Sequence, residues 1–299
     1  MALPQLTVSS ARHPAYAPQY VARALGLFPA AGVQVRLIDS PAGDSAITRC
    51  LRDGTADMVL GSLLFALRLA EEGVVPVVVG QSNQHTRHVL LSRTPVTGAE
   101  FDWARLRGAG VLVHPTNVPT PWAAFRQALT NKGLMLDDIR PIIGFSAQQA
   151  VPEFRRGVGD LMLADPEGLP QGHGLHELAP VAPALGPVPW SVYCAPAEAA
   201  ARLAPALGSF RQALAHAVAW LYAHPSIEAA ALLGPEFPAI PAQALAAQLE
   251  RSARAGIWKA DPAADAAQVA RWAGALRQGG LMPPGRDLLD FYPELRRTA

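Results

Sequence analysis

Short apolar runs alternate with amphipathic stretches through the first part of the chain. The runs have the length and the β-branched content of buried strands, and they lie at 6–10, 33–38, 57–60 and 74–79. Between them, apolar residues recur at three- and four-residue spacing, which is typical of helices that pack on one face. Strands that alternate with helices predict a parallel sheet with right-handed crossovers.

The same alternation restarts near residue 88. Further strand-like runs lie at 88–92, 110–113, 139–143, 161–164 and 191–195. Helical periodicity separates several of them and then dominates the chain after Pro205. The pattern therefore predicts an α/β protein with two lobes and a helical C-terminal segment, each lobe being a mainly parallel sheet flanked by helices.

Two strands, at 88–92 and 191–195, connect the predicted sheets, so the chain is expected to cross between the lobes twice. The predicted boundaries assign 1–88 to the first part of lobe 1, 89–194 to lobe 2, and 195–299 to the second, mainly helical part of lobe 1. In open α/β sheets a ligand binds outside the carboxyl ends of the strands, so we expect a ligand in the cleft between the lobes.

Composition narrows the class of protein further. Half of the 299 residues are hydrophobic and 16% are charged, so the chain can bury a sizeable core. Lys and Arg number 25 against 24 Asp and Glu, which leaves a net charge of +1 and argues against a nucleic-acid binder that works by bulk electrostatics. No apolar run approaches the roughly 18 residues of a membrane span.

The two cysteines, Cys50 and Cys194, are too few for a disulfide-rich scaffold or a four-cysteine zinc site. They pair only if the fold brings them together, and we expect two buried free thiols. The histidine pairs 85/88 and 173/176 lack a convincing third ligand, so no metal site is expected.

The first residues, MALPQLTVSS, contain neither a basic region nor the apolar stretch of a signal peptide. We therefore expect either a cytoplasmic protein or a mature periplasmic form from which a signal peptide has been removed. Composition does not separate these two locations.

Several short segments carry a family resemblance when their order and spacing are taken together. They are YVARALGLF at 20–28, GVQV at 32–35, GTADM at 54–58, HPS at 224–226, GIWKAD at 256–261 and GL at 280–281. In these segments the chain resembles the type II periplasmic solute-binding proteins of the nitrate/sulfonate/taurine and thiamine-precursor import group, over nearly its whole length. The resemblance implies the type II periplasmic-binding-protein fold and specifies no ligand.

The same superfamily contains enzymes, and the resemblance places their reactive positions on this chain. A fungal pyrimidine synthase carries a Lys that holds pyridoxal phosphate and a His that is consumed, and Gly61 and Phe65 stand at these positions. An aryl-sulfinate desulfinase carries a nucleophilic Cys just after the first strand, where this chain has Ala11. Both chemistries lack their reactive group here, so we expect no catalytic residue and no cofactor.

Polar and small residues follow the strands of lobe 1, at the edge where the resemblance implies a ligand site. The candidates are Ser9, Ser10, His13, Ser40, Gly61, Ser62 and Gln81. Hydroxyl and imidazole groups can hydrogen-bond a polar ligand head, and helix starts after Ser40 and Ser62 present backbone N–H groups that favour anions. The same residues can instead satisfy the local backbone as turn residues and caps, and both interpretations stay open.

The stretch HPTNVPTPW at 114–122 joins a strand to a helix of lobe 2. Thr120 is a good N-cap and Pro121 a good first helical residue. The resemblance implies that this loop contacts the ligand. The candidate residues in it are His114, Thr116, Asn117, Thr120 and Trp122. Trp122 can stack on an aromatic ligand or pack against the protein itself.

Two further candidates follow later strands of lobe 2. Phe145 directly precedes Ser146, which forms a predicted capping box with Gln149. Asp165 follows the last strand, and its carboxylate can accept a ligand N–H or remain solvated. Few Arg or Lys residues accompany the candidates, so we expect a neutral or weakly anionic ligand.

The favoured hypothesis is a substrate-binding protein of an ABC-type importer that captures its ligand by hinge closure. The expected partners are a small organic ligand (a sulfonate-like anion, an aromatic acid or a pyrimidine-type compound) and a transporter permease, with no nucleic acid and a monomeric state. The alternative is an enzyme or a cytoplasmic ligand sensor on the same scaffold, related to decarboxylases, desulfinases or pyrimidine synthases.

Overall fold

The structure is a computed structural model, and it describes residues 2–41, 44–95, 101–115, 119–170 and 172–296. The chain divides into two compact units. Unit 1 comprises Met1–His85, Pro189–Ala270 and Arg286–Ala299, and unit 2 comprises Thr86–Val188 and Arg271–Gly285.

Unit 1 contains a mixed five-stranded sheet in the order β2-β1-β3-β10-β4. Its strands are β1 (Gln5–Ser10), β2 (Gln34–Asp39), β3 (Met58–Gly61), β4 (Pro76–Asn83) and β10 (Ser191–Pro196). β1 runs parallel to both β2 and β3, whereas β10 is antiparallel to β3 and β4. The carboxyl ends of β1 to β4 and the first residue of β10 therefore lie at one edge of the sheet.

Unit 1 also contains the helices that flank this sheet and the helices that pack on them. They are α1 (Ala17–Ala24), α2 (Leu27–Ala30), α3 (Asp44–Arg52), α4 (Leu64–Glu71), α8 (Ala197–Ala223), α9 (Ser226–Leu233), α10 (Ala242–Arg254) and α12 (Pro293–Arg296). The core joins sheet and helices through aromatic contacts: the ring of Phe210 stacks on Phe28 at 5.6 Å and meets Tyr193 edge-on at 4.9 Å.

Unit 2 likewise contains a five-stranded mixed sheet with helices around it, and its strand order is β7-β6-β8-β5-β9. Its elements are β5 (Val89–Ser92), β6 (Gly110–Val113), α5 (Thr120–Asn131), β7 (Arg140–Ile142), α6 (Ala147–Arg155), β8 (Leu161–Ala164), β9 (His176–Pro180) and α7 (Ala182–Leu185). β6 is parallel to β7 and β8, and β5 is antiparallel to β8 and β9. The α/β class with two helix-flanked sheets is thus confirmed, each sheet holding one strand of opposite direction.

The observed units differ from the predicted boundaries in three places. Residues 86–88, predicted in lobe 1, belong to unit 2, which begins at Thr86. Residues 189–194, predicted in lobe 2, belong to unit 1 because β10 completes that sheet between β3 and β4. The segment Arg271–Gly285, predicted in lobe 1, belongs to unit 2 because helix α11 (Ala266–Gln278) leaves unit 1 at Ala270. Its second half contacts unit 2 through Gln278 Nε2, which donates to Thr130 Oγ1 over 3.2 Å.

Three local expectations also need correction. Strand β9 was not predicted, since it lies in the region 166–189, which is rich in Pro and Gly. Helix α8 begins at Ala197, before the predicted helical region, and continues through Pro205. Both cysteines are free, but only Cys194 is buried, which raises the pKa of its thiol to about 12, whereas Cys50 is half-buried.

Within the residues that the structure describes, no helix combines the length and apolarity needed to cross a bilayer. In the same residues, no group of three or more His, Cys, Asp or Glu side chains is arranged to hold a metal ion.

Candidate functional site

The carboxyl edge of the unit 1 sheet gathers most of the candidates predicted for lobe 1. Ser9 and Ser10 end β1, Ser40 follows β2, and Gly61 and Ser62 lie at the end of β3. The edge continues at the end of β4, where Asn83 pairs with Ser191 at the start of β10. Small polar side chains from five strands therefore share one edge.

Two of these serines are hydrogen-bonded to each other. Ser9 Oγ and Ser40 Oγ lie 3.0 Å apart, and the Ser40 N–H donates to the carbonyl of Ser10 over 2.9 Å. Ser9 is fully buried and Ser40 is half-buried. Because only one hydroxyl proton can lie between the two oxygens, the other hydroxyl keeps its proton for a further acceptor.

Ser10 is held by a residue that the sequence did not single out. Gln19, in the first turn of α1, donates from Nε2 to Ser10 Oγ over 2.8 Å, and both residues are buried. Gln19 Oε1 has no hydrogen-bond partner among the described residues. Burial raises the pKa of the adjacent Tyr20 phenol, against the effect of its hydrogen bonds with Ser10 and Gln19.

His13 begins the 3-10 turn Pro14–Tyr16 and serves its local backbone. Its Nδ1 accepts a hydrogen bond from the Ala15 N–H over 3.0 Å, as the turn interpretation predicts. The same turn is fastened by buried Trp258, whose indole N–H donates to the Ala15 carbonyl over 2.9 Å. Trp258 also bridges to Asn83 at the end of β4, so it ties the turn to that strand.

Ser62 and Gln81 are likewise engaged inside unit 1. Ser62 Oγ accepts from the Leu64 N–H over 3.3 Å just before α4, whose N-cap position is Leu63 and has no side-chain cap hydrogen bond. Gln81 Nε2 donates to Gln268 Oε1 over 2.9 Å, and both residues are buried. The Gln81 amide therefore links the end of β4 to α11.

Arg12 follows β1 and brings positive charge to this edge. It forms a two-point ion pair with Asp39 at the end of β2, with N···O distances of 3.1 and 3.0 Å. The hydrogen bond to Asp39 raises the pKa of the Arg12 guanidinium. Arg12 also lies 3.5 Å from the Glu236 carboxylate, which pairs with Arg23. Asp39 is thus compensated within the fold.

The carboxyl edge of the unit 2 sheet carries a second group of polar residues. His114 follows β6, Ser146 follows β7, Asp165 follows β8, and Arg87 and His88 precede the antiparallel β5. The topology brings all of them to one edge. Of this group, Arg87 was not anticipated, although its position just before a strand of opposite direction is the signal that predicts it.

His114 is buried at this edge, and its backbone N–H donates to the Leu163 carbonyl over 3.1 Å. Burial lowers the pKa of the imidazole, while a hydrogen bond with the backbone of Ala147 and the nearby carboxylate of Asp165 act in the opposite direction. The net effect favours a neutral ring, which can both donate and accept a hydrogen bond.

Asp165 is paired with an arginine of unit 2 and largely buried, so its carboxylate is not solvated, while its predicted ligand contact stays a prediction. Its Oδ2 accepts from Arg87 Nη2 over 2.5 Å, and its Oδ1 accepts from the Glu167 N–H over 3.1 Å. The Glu167 carboxylate lies 3.7 Å from Arg87 Nη1. The side chain of Arg87 is 20% exposed, that of Asp165 is 12% exposed and that of Glu167 is 5% exposed, so the cluster is largely buried.

The remaining lobe 2 candidates serve partly in packing. Thr120 is not the N-cap: it is the first residue of α5, and Pro119 occupies the cap position without a side-chain hydrogen bond. Half-buried Trp122 packs on Phe125 with ring centroids 5.8 Å apart. Half-buried Phe145 packs against the unit 2 core.

The capping box of Ser146 and Gln149 is confirmed, with hydrogen bonds of 3.3 and 3.1 Å. Thr116 and Asn117 lie outside the described residues, so their proposed ligand contacts stay predictions.

Comparison with solved structures gives matches over nearly the whole chain. The periplasmic aliphatic sulphonate binding protein SsuA from Escherichia coli is 19% identical, covers 97% of this chain and 98% of its own, and gives a TM-score of 0.72. The alkanesulfonate-binding SsuA from Xanthomonas axonopodis pv. citri, bound to MOPS, is 17% identical at 95% and 96% coverage with a TM-score of 0.62. The desulfurization enzyme DSZB is 16% identical at 99% and 100% coverage with a TM-score of 0.58.

No protein-family model matches the chain, and no curated protein matches it. At these identities the structural matches establish the fold, which is that of the periplasmic binding proteins. The predicted fold is therefore confirmed. Binding proteins of ABC-type import systems and an enzyme both occur among the structures that share it.

Proposed function

We propose that the chain is a solute-binding protein of an ABC-type importer and that it captures a small organic ligand with the side chains at the carboxyl edges of its two sheets. The expected partners are that ligand and a transporter permease, with the chain acting as a periplasmic monomer. The ligand classes that we propose are a sulfonate-like anion, an aromatic acid or a pyrimidine-type compound.

The observation that best supports this role is the arrangement of hydroxyl groups in unit 1. Ser9, Ser10 and Ser40 are held by one another and by Gln19 before any ligand arrives. Groups whose orientation is set in advance lose little conformational freedom on binding, which favours affinity. The fold supports the same role, since the carboxyl edges of such sheets are where ligands bind in open α/β proteins.

The direct experiment is mass spectrometry of the protein purified under non-denaturing conditions, which should find a co-purified small molecule. Ser40→Ala, which removes the half-buried hydroxyl of the Ser9–Ser40 pair, should weaken the affinity for that molecule about tenfold, since about 1.4 kcal/mol corresponds to tenfold in affinity. The matched control is Ser226→Ala in α9, whose hydroxyl bonds Glu250 over 2.9 Å and lies in another part of unit 1. Equal affinities for the two variants would contradict the proposed site.

Hinge closure of the two units over the ligand is part of the proposal, on the strength of the sequence resemblance. Small-angle scattering tests it, because the radius of gyration should fall when the co-purified ligand is restored to ligand-free protein. An unchanged scattering profile at saturating ligand would contradict closure.

An enzyme on this scaffold is the second candidate, and the match to DSZB is the observation that favours it. Its test is turnover: conversion of the co-purified molecule into a product by the purified protein would replace the transport proposal. Quantitative recovery of unchanged ligand after prolonged incubation would support transport.

A further inference from the structure

The last residue of β3 and the start of α4 form an unusually close pair. A Cβ atom added to Gly61 would lie 2.3 Å from Cε2 and 2.7 Å from Cδ2 of the Phe65 ring. Real Cβ atoms do not approach other atoms this closely, so the ring can occupy this place only because residue 61 has no side chain. Glycine here acts by leaving room, since its backbone does not adopt a left-handed conformation.

The ring lies on the strand end around which the polar candidates are arranged. Gly61 pairs with Val192 of β10, and the preceding Leu60 pairs with Ser10 of β1. Ser62, whose hydroxyl accepts from the Leu64 N–H, lies between Gly61 and the helix that carries Phe65. Side chains alternate along a strand, so Gly61 shares its face with Val59, which pairs with Ser9 of β1. The Phe65 ring therefore packs at the carboxyl edge on the face that Ser9 also occupies.

Phe65 is less buried than the strand against whose end its ring packs. Met58, Val59 and Leu60 of β3 are at most 2% exposed, whereas Phe65 is half-buried. Part of the Phe65 side chain therefore remains accessible.

Resting on the proposed function, we infer that Phe65, positioned by Gly61, is the specificity-determining residue of the unit 1 site and selects ligands with a flat apolar part joined to a hydrogen-bonding head. The ring supplies a face for an aromatic or planar group. Ser9 on the same face, and Ser40, whose hydroxyl lies 3.0 Å from that of Ser9, supply hydrogen-bond partners for the head.

Probe pairs that share a head and differ in the apolar part isolate this selectivity. We suggest benzenesulfonate with methanesulfonate, and benzamide with acetamide, measured by calorimetry. The wild-type protein should bind the aryl member of a pair at least tenfold more tightly. Phe65→Ala should reduce that ratio to near one while leaving the affinity for the methyl member unchanged.

A second variant keeps the ring and moves it. Gly61→Ala should displace Phe65 and lower the aryl preference as far as Phe65→Ala does, although the aromatic side chain is still present. The matched control for the added methyl is Gly208→Ala in α8, where a Cβ meets no atom within 4 Å. The control for lost apolar volume is Leu64→Ala, half-buried at the preceding position of α4. Both controls should keep the wild-type ratio.

A ratio that survives both Phe65→Ala and Gly61→Ala would overturn the inference. So would wild-type protein that binds none of the four probes, or that binds the two members of each pair equally. These results leave the proposed function standing if a co-purified ligand is found. Absence of any co-purified or added ligand, by contrast, would overturn the proposed function together with the inference. The inference is supported if Phe65→Ala and Gly61→Ala both abolish the preference for the aryl probe while both control variants keep it.

Discussion

Replacing Asp165 with Asn tests whether charge holds the carboxyl edge of unit 2 together. The Asp165 carboxylate accepts from Arg87 Nη2 over 2.5 Å and from the Glu167 N–H over 3.1 Å. Asn has nearly the same volume and keeps an oxygen for the Glu167 N–H. The substitution therefore removes one negative charge and little else.

The magnitude follows from how deeply the pair is buried. Removing one partner of a buried ion pair costs about 3–5 kcal/mol, because the other charge is left in a poorly solvated place. The Arg87 side chain is 20% exposed, and it keeps Glu167 at 3.7 Å. A unit-charge pair about 4 Å apart is attracted by roughly 4 kcal/mol at an effective dielectric constant of about 20, so Glu167 offsets part of the loss. We expect Asp165→Asn to lower the free energy of unfolding by about 2–3 kcal/mol.

Denaturant unfolding at neutral pH measures this change. Arg87→Met should cost more than Asp165→Asn, because it leaves two carboxylates facing each other, and Glu167→Gln should cost less. The control is Glu153→Gln, which breaks an ion pair with Arg156, a side chain that is 67% exposed. Exposed pairs contribute about 0–1 kcal/mol. If Asp165→Asn costs no more than this control, the carboxylate does not hold Arg87 in place and the reasoning is refuted.

Three further predictions concern other buried groups. Burial lowers the pKa of His114 in the folded protein, so on acidification the unfolded chain binds the imidazole proton first. The free energy of unfolding should therefore fall as the pH drops below about 6.5, the ordinary His value. His114→Gln should reduce this loss in pH-dependent melts, and an unchanged pH profile would contradict the assignment. Trp258→Phe should lower the free energy of unfolding by about 1–3 kcal/mol, because it leaves the buried Ala15 carbonyl without the indole N–H that donates to it. A smaller loss in denaturant titrations would show that this hydrogen bond does not stabilise the turn. Ser10→Ala should destabilise unit 1 by a similar amount, whereas the double variant with Gln19→Leu should be closer to wild type, and simple additivity of the two losses would refute the coupling.

The strands of the interior could be predicted from the sequence because their burial leaves a clear pattern. The observed bounds of β6 (Gly110–Val113) and β8 (Leu161–Ala164) are those of the predicted runs, since all four positions of β6 are buried. β9 (His176–Pro180) was missed because it lies at the sheet edge, where β5 is its one partner strand among the described residues, and because it carries His and Glu. An edge strand lacks the continuous apolar run that marks a central one.

The helical periodicity of the C-terminal segment predicts helices but not the sheet against which they pack. α11 (Ala266–Gln278) begins in unit 1 and ends in unit 2, and the apolar spacing along it does not change at the boundary. Similarly, Pro205 lies inside α8, where a proline costs the helix a hydrogen bond that tertiary packing outweighs.

At the candidate site, residue types at strand ends were predictable and their partners were not. Ser9 and Ser10 follow a strand, so their place at the edge follows from the topology. Gln19 is one helix further on, and Arg87 reaches Asp165 across 78 residues of sequence. Such contacts depend on the register of strands and helices, which local patterns do not specify.

The charge balance at the two edges bears on the kind of ligand that each unit can hold. Each edge has an arginine with two carboxylates close to it. In unit 1 Arg12 lies beside Asp39 and Glu236, and in unit 2 Arg87 lies beside Asp165 and Glu167. An anionic head that used either guanidinium would have to displace or approach a carboxylate. Like charges repel strongly at the largely buried unit 2 cluster, and more weakly at Arg12 and Asp39, whose side chains are 44% and 59% exposed. A neutral head avoids this cost, and hydrogen-bonding groups without charge are present at each edge: the serine hydroxyls in unit 1 and the neutral ring of His114 in unit 2. The chain thus shares its fold with sulfonate-binding proteins, while its own charges favour, among the ligands proposed here, those that carry little net charge.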